Sequence, residues 1–487
     1  MIRHAFRYAC LGTLFALSIV RLAAQAPARP PMLIFLHVTV INPESRSVEQ
    51  DRAVVIRGNR ITAVTTAALT PPDFAQVVDA SGKYMIPGLW DMHVHTAFGD
   101  WFPRGREVIL PLFIANGVTG VRDMGGDLPV LFTWRKQIAV GEIVGPRMVL
   151  SGPMLDGYLP DGKLRFPSSV AVMTPADAVK AVDSLKAQGA EFIKVQSVVK
   201  QDVYAAAAQE AHKQDLPFVG HVPDHIKLTE SVALGQKSVE HFMGVLEGCS
   251  SQEDQLLAAS TEDTKLLLSS HDKAKCQKLI ALLAQTHTWL CPTMAWNRQG
   301  TLLDQVDFAH QPLDKYVPAY WREVTWKRFY DEMMPGIKVD ALSVRQQEIA
   351  EMLRMIGVLH KGGVEFLAGT DTAPGIYVMP GFSLHDELAN FVEAGFSPMD
   401  ALTTATSNPA KFFGKDDMGA VEPGNVADVV LLDANPVTDI RNVDKISGVV
   451  ADGRYYDRAR LDAVLAGVEK AAKQSNPTSE NPDVGHP

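Results

Sequence analysis

Ile86-Pro87-Gly88-Leu89-Trp90-Asp91-Met92-His93-Val94-His95 is the stretch on which the reading of the fold turns. Pro87 and Gly88 punctuate the chain, and the apolar run after them ends in two histidines spaced two apart. Side chains at i and i+2 of a strand point the same way, so both imidazoles can face one interior and share a metal ion. Taken alone, the pair is a weak signal and reads more readily as surface or hydrogen-bonded core histidines. What matters is whether other strand ends along the chain carry compatible groups.

They recur. Short β-branched or apolar runs alternate with longer helix-like stretches at Val118–Val121, Met148–Leu150, Phe192–Val195, Phe218–His221, Ser238–His241, Trp289–Pro292 and Glu365–Gly369. Strands separated by helices pair in parallel, and a count near eight predicts a closed β/α barrel with its site at the C-terminal strand ends. A doubly wound open sheet is the competing architecture. It would normally show a glycine-rich phosphate loop after its first strand, and none is found.

Four further polar residues fall at or beyond these strands. Lys194 sits between Ile193 and Val195, where an ammonium must snorkel out, find a partner, lose its charge or be chemically modified. Carbamylation by carbon dioxide would turn it into an anion able to bridge two metal ions. His221 and His241 each end an apolar run, and neutral imidazole suits a borderline metal such as zinc. Asp371, in Leu367-Ala368-Gly369-Thr370-Asp371, can bind metal or move a proton, and equally can cap a helix. Asp91 and Glu240 are placed to orient neighbouring histidines. His225, Tyr158, Arg165, Trp296 and His385 fall on predicted loops and receive no role.

This ordered set resembles the amidohydrolase superfamily, in its imidazolonepropionase-like and prolidase-type dipeptidase branch. The likeness extends to Gly117-Val118-Thr119-Gly120-Val121-Arg122-Asp123 and Pro423-Gly424-Asn425-Val426-Ala427-Asp428, and covers nearly the whole chain after residue 26. It implies two divalent ions, usually zinc: His93, His95 and Asp371 on one, His221 and His241 on the other, and carbamylated Lys194 bridging both. A hydroxide between the ions would attack an amide, peptide or cyclic amide bond, and Asp371 would pass its proton to the leaving nitrogen. An esterase, lactonase or phosphotriesterase with the same site is the alternative, and a non-catalytic ligand-binding barrel a more distant one.

Outward from the barrel, strand-like runs at 33–36, 38–41, 53–56 and 61–64 are matched near the other end by 429–432 and 446–450. Neither group is long enough for its own core, so residues 32–86 plus 414–460 are expected to form one small β-sandwich domain, with the barrel at 87–413 inserted in it. Residues 302–340 read as helical excursions placed to cover the site, and 472–487 as a disordered tail. At the start, Arg3, His4 and Arg7 precede an uncharged stretch from Ala9 to Val20, followed by Ala24-Gln25-Ala26. About twelve apolar residues are too few for a bilayer roughly 30 Å thick but suit a signal peptide, so residues 1–26 predict export.

Losing Arg3, Arg7 and Arg21 with the signal takes the formal charge from −10 to −13. That balance, with no basic run, excludes a nucleic-acid partner and leaves a small-molecule substrate. A stable membrane span is not expected, and a homo-oligomer stays open. Hydrophobic residues at 46% and charged residues at 21% exclude a wholly disordered chain. Cys249, Cys276 and Cys291 remain after the signal: the first two can pair, or all three can be buried thiols, and no C-x2-C spacing offers a thiolate zinc site.

Overall fold

Strands from the two ends of the chain share one sheet. Tyr84–Pro87 runs antiparallel to Val429–Leu432, with Met85 opposite Leu431 and Pro87 opposite Val429. The structure, a computed structural model, describes residues 31–259 and 263–474; the expected signal at 1–26 lies outside them. Hydrogen bonding joins Met32–Asn42, Ser47–Arg57, Arg60–Thr66, Gln76–Asp79, Tyr84–Pro87, Val429–Leu432, Ile446–Ala451 and Arg454–Asp457 into one eight-stranded sheet. The two runs expected at 33–36 and 38–41 are a single strand bulged at His37, whose φ of 60° and 2.8 Å contact with Asp51 mark the irregularity. Leu33, Phe35, Val38 and Val40 share a buried cluster with Val429, Leu431 and Val450. Each such side chain contributes about 1.5–3 kcal/mol on burial, which neither end could gather alone.

Between these ends lie two parallel sheets. Leu89–Val94, Val118–Asp123 and Arg147–Leu150 form one, while Met154–Asp156, Ser169–Ala171, Ile193–Val195, Phe218–Gly220, Ser238–Glu240 and Trp289–Cys291 form the other. Helices separate most of them. Pro175–Gln188 shows why they form: a Thr174/Asp177 capping box and Pro175 start it, Ala178, Val182 and Leu185 bury one face, and Gly189 at φ 94° ends it.

The strand expected at Glu365–Gly369 appears instead as isolated bridges, Leu290 with Phe366 and Val94 with Thr372. The ladder is interrupted there because the Thr370 amide donates to the Asp91 carboxylate rather than to a strand carbonyl, and Asp371 takes φ 60°. Backbone bonds still span the two sheets, from Met92 N to Ala368 O at 2.8 Å and from Glu191 N to Leu150 O at 2.8 Å. The strands therefore register as two parallel sheets, not as the single closed ladder expected.

Residues 302–340 include Leu303–Gln305, Asp314–Tyr316, a π-helical Trp321–Trp326 and the helix Lys327–Ile337. Trp321 is buried, donates to Pro103 O at 3.0 Å and meets the Phe102 ring edge-on, and Phe329 meets Trp101. This excursion thus packs on the loop that follows His95. Disorder expected from residue 472 begins too early, because the helix Arg458–Lys473 buries Leu461, Val468, Ala471 and Ala472; residues 475–487 lie outside the described ones. No helix among the described residues is long and apolar enough to cross a membrane.

Cys249 and Cys276 form a disulfide that ties the first turn of Lys273–Thr286 to a point 27 residues back, and Cys291 is a free buried thiol. Closing a loop of this length should stabilise the fold by about 3 kcal/mol. A Cys249→Ala/Cys276→Ala variant is expected to show that loss in urea unfolding, and an unchanged midpoint would mean the crosslink carries no stability.

Candidate metal centre

Four of the parallel strands deliver polar residues at or near their C-terminal ends. His93 lies in Leu89–Val94 with His95 just beyond it; Lys194 lies in Ile193–Val195; His221 and His241 directly follow Phe218–Gly220 and Ser238–Glu240. The ring centroids form a chain, 5.5 Å from His95 to His93, 4.6 Å from His93 to His241 and 4.7 Å from His241 to His221.

All four imidazoles are held by the same atom. Nδ1 of His93 meets Glu240 Oε2 at 2.9 Å, that of His95 donates to Gly125 O at 3.0 Å, that of His221 meets Ser197 Oγ at 2.7 Å and that of His241 meets Thr293 Oγ1 at 2.8 Å. Nε2 is left as the unengaged ring nitrogen in each case. His93 Nε2 is buried with no hydrogen-bond partner. Burial drives His93 and His221 well below the ordinary histidine pKa and His241 down to about 3, with the Lys194 ammonium adding to the effect, so these rings stand neutral, the form that ligates metals.

Asp371 faces three of them. Its Oδ1 lies 3.3 Å from His95 Nε2 and 3.5 Å from His93 Nε2, and its Oδ2 lies 3.9 Å from His241 Nε2. One ligand atom each from His93, His241 and Asp371 falls within 4.8 Å of the others, spacing that a single ion can bridge. Lys194 is fully buried and its Nζ has no hydrogen-bond partner. Burial lowers its pKa to about 8, against the opposing pull of Glu240 and Asp371. Gly369 is required behind this group, because a Cβ there would come 2.5 Å from Cys291 Sγ and 2.8 Å from His93 Cβ.

A family profile described as the amidohydrolase family matches residues 84–455. This chain belongs to the amidohydrolase family. A solved Xaa-Pro dipeptidase with bound methionine in its active site aligns over 88% of this chain and all of its own, at 20% identity and TM-score 0.65. The bottromycin amidohydrolase structure aligns over 91% of both chains at 22% identity and TM-score 0.68. At these identities the likeness speaks for the fold alone. Among curated sequences, an adenine deaminase from Ruegeria pomeroyi is 34% identical over 120 residues, 21% of this chain and 20% of that protein. The chain thus spans a fifth or less of the length of the curated relatives it matches first.

Beneath the candidate ligands of this amidohydrolase lies a layer that the sequence made only partly legible. Glu240 orients a histidine, but it is His93 rather than its neighbour His241. Arg122, wholly buried, fixes that carboxylate at 2.9 and 3.0 Å, donates to Ser238 Oγ at 2.9 Å and to Met92 O at 2.6 Å. Asp91 touches no imidazole; it accepts the amides of His93 and Thr370 and the Thr370 hydroxyl, tying the His93 strand to the Asp371 segment. Burial raises its pKa to about 7. Asp123 accepts the amide and hydroxyl of Thr96 and the amide of Gly125, the residue whose carbonyl holds His95. Thr293 and Ser197 escaped sequence reading, since a lone hydroxyl beside a strand carries no pattern.

The loop residues separate. His385, half-buried, bonds to Asn116 O, and His225 bonds to Leu257 O, so both serve local structure. Trp296 packs against Gly375, four residues beyond Asp371. Tyr158 is exposed. Arg165 is exposed, lies over the Phe166 ring and acts electrostatically on His221, with no carboxylate within ion-pair distance among the described residues.

Proposed function

We propose that this protein is an exported metal-dependent hydrolase that cleaves an amide, peptide or cyclic amide bond using two divalent ions. The observation that carries this reading is the set of four imidazoles pinned through Nδ1, three of which present Nε2 3.3–3.9 Å from Asp371, together with the buried, unpartnered Lys194 amine. His93, His95 and Asp371 would hold one ion and His221 and His241 the other, with imidazole-rich donors favouring zinc. Lys194 Nζ, adding to carbon dioxide and losing one proton, would give a carbamate able to lie between them. When bound, the ions supply Lewis-acid polarisation of the scissile carbonyl and lower the pKa of water. Asp371 takes up the proton released in the attack and returns it to the departing nitrogen. Glu240, Gly125, Ser197 and Thr293 hold the rings in the tautomer that exposes Nε2.

The parallel strands, registered as two sheets, are proposed to surround the site in a barrel-like arrangement joined through the bridges at Phe366 and Thr372, and residues 32–86 with 414–460 to form a small sandwich beside it. Export is supported by residues 1–26 and by the Cys249–Cys276 disulfide, which suits an oxidising compartment. Around the site, Phe98 backs both His95 at 4.8 Å and the half-buried Phe166 at 5.8 Å, which gives the substrate an apolar surface, while Arg165, whose charge also acts on Asp156 and Asp224, offers a cation for a carboxylate. Dipeptides and N-acyl amino acids present both features.

A panel of dipeptides, N-acyl amino acids, cyclic amides, esters, lactones and phosphotriesters tests the assignment. Turnover is expected to concentrate on the amides that carry a free carboxylate; turnover confined to esters, lactones or triesters would replace it. Arg165→Met should raise KM for carboxylate-bearing substrates about tenfold with kcat little changed. An unchanged KM removes Arg165 from substrate binding.

A further inference from the structure

A cavity of about 570 Å³ opens at the end of the parallel strands opposite the imidazoles. Its walls come from the strand beginnings: Trp90, Thr119, Met148, Phe192 and Lys237 each stand at or just before the first residues of a strand, and Phe412 and Phe413 close it from the helix Ser407–Phe413. The far side comes from Arg454 of the eight-stranded sheet and from Val426 and Asp428 on the segment that leads into its strand Val429–Leu432. The volume is that of a small-molecule site, and a junction between sheet layers is where such sites form.

The polar groups lining it decide what fits. Its four guanidiniums are already engaged: Arg60 with Asp417, Arg135 with Glu191, Arg147 with Asp428 and Asp452, and Arg454 with Asp452 and the carbonyls of Ile138 and Ala139. Two lysines remain without a carboxylate within ion-pair distance among the described residues. Half-buried Lys237 sits 4.6 Å over the Phe412 ring and donates only to Phe412 O, and Lys415 stands exposed at the rim. Thr119 is 1% exposed, lines the cavity, and its Oγ1 has no hydrogen-bond partner. An aromatic wall and two ammonium groups with no carboxylate within ion-pair distance among the described residues form a receptor for one negative charge on an apolar body.

We propose that this cavity binds a small apolar carboxylate of arylalkanoate size, held by Lys237 and Lys415 through its carboxylate and by Trp90, Phe192 and Phe412 through its ring. The site is separate from the metal centre and independent of the hydrolytic reading.

Calorimetry with 3-phenylpropionate on the full, metal-loaded protein tests it, with 3-phenylpropionamide as the neutral control. The acid is expected to show a binding site that persists in Arg165→Met, beside any binding at the metal centre, and the amide to bind that site roughly tenfold more weakly or not at all. Lys237→Met/Lys415→Met should weaken the acid by roughly tenfold or more, and the single Lys415→Met at the exposed rim, which guards against a folding defect in the double variant, by about threefold. Arg165→Met, at the other end of the strands, should leave this affinity unchanged. Equal binding of acid and amide, full affinity in both cavity variants, or loss of binding in Arg165→Met would overturn the proposal.

Discussion

Lys194→Ala is expected to lower kcat/KM by on the order of 10³, a loss typical of removing a group on which the reacting charge depends, and to reduce bound metal from two ions per chain to one or none. The lysine earns no place in the core by packing alone: its Nζ is fully buried without a partner, an arrangement that costs several kcal/mol if the group is charged. The metal-free Lys194→Met protein should therefore unfold no earlier than metal-free wild type, which separates loss of metal from loss of fold. Millimolar formate or acetate, standing in for the missing carbamate, should restore part of the activity to Lys194→Ala. Full metal content and full turnover in that variant would place Lys194 outside the site.

Arg122→Met carries the largest expected effect on stability. Arg122 makes charge-assisted bonds to both oxygens of Glu240 in a region with no solvent access, and its removal leaves the carboxylate buried without its counter-ion. Breaking a buried pair from one side costs about 3–5 kcal/mol. Because Glu240 also holds His93 Nδ1, metal affinity should fall about 10- to 100-fold in the same variant. Chemical unfolding and metal titration measure the two losses, and the double variant Arg122→Met/Glu240→Gln should regain part of the stability by discarding the stranded charge. A cost below about 1 kcal/mol for Arg122→Met would show that the pair is not the anchor described here.

The candidate ligands were legible because each polar residue terminates an apolar run, and in parallel strands such ends gather on one face. Their supports were less so. Glu240 adjoins His241 in the chain, but the strand ends at Glu240 and His241 takes a left-handed φ of 58°, so the chain turns between them and the Glu240 carboxylate reaches His93 on another strand instead. Arg122 stood inside a recognisable motif, yet its partner lies 118 residues away. The segment around Asp371 read as a strand from its apolar residues; the Asp91 carboxylate takes the Thr370 amide that a ladder would need, and no local pattern announces that. The sheet built from both chain ends was readable from matching runs, whereas Gln76–Asp79, Tyr84–Pro87 and Arg454–Asp457 were not, being only four residues each.

Metal content and hydrolysis measured together on the purified protein, before and after chelation, test the central claim most directly. Two divalent ions per chain are predicted, with amide hydrolysis lost on chelation and recovered on adding zinc. Protein that holds no metal and hydrolyses its substrate equally well after chelation would contradict it.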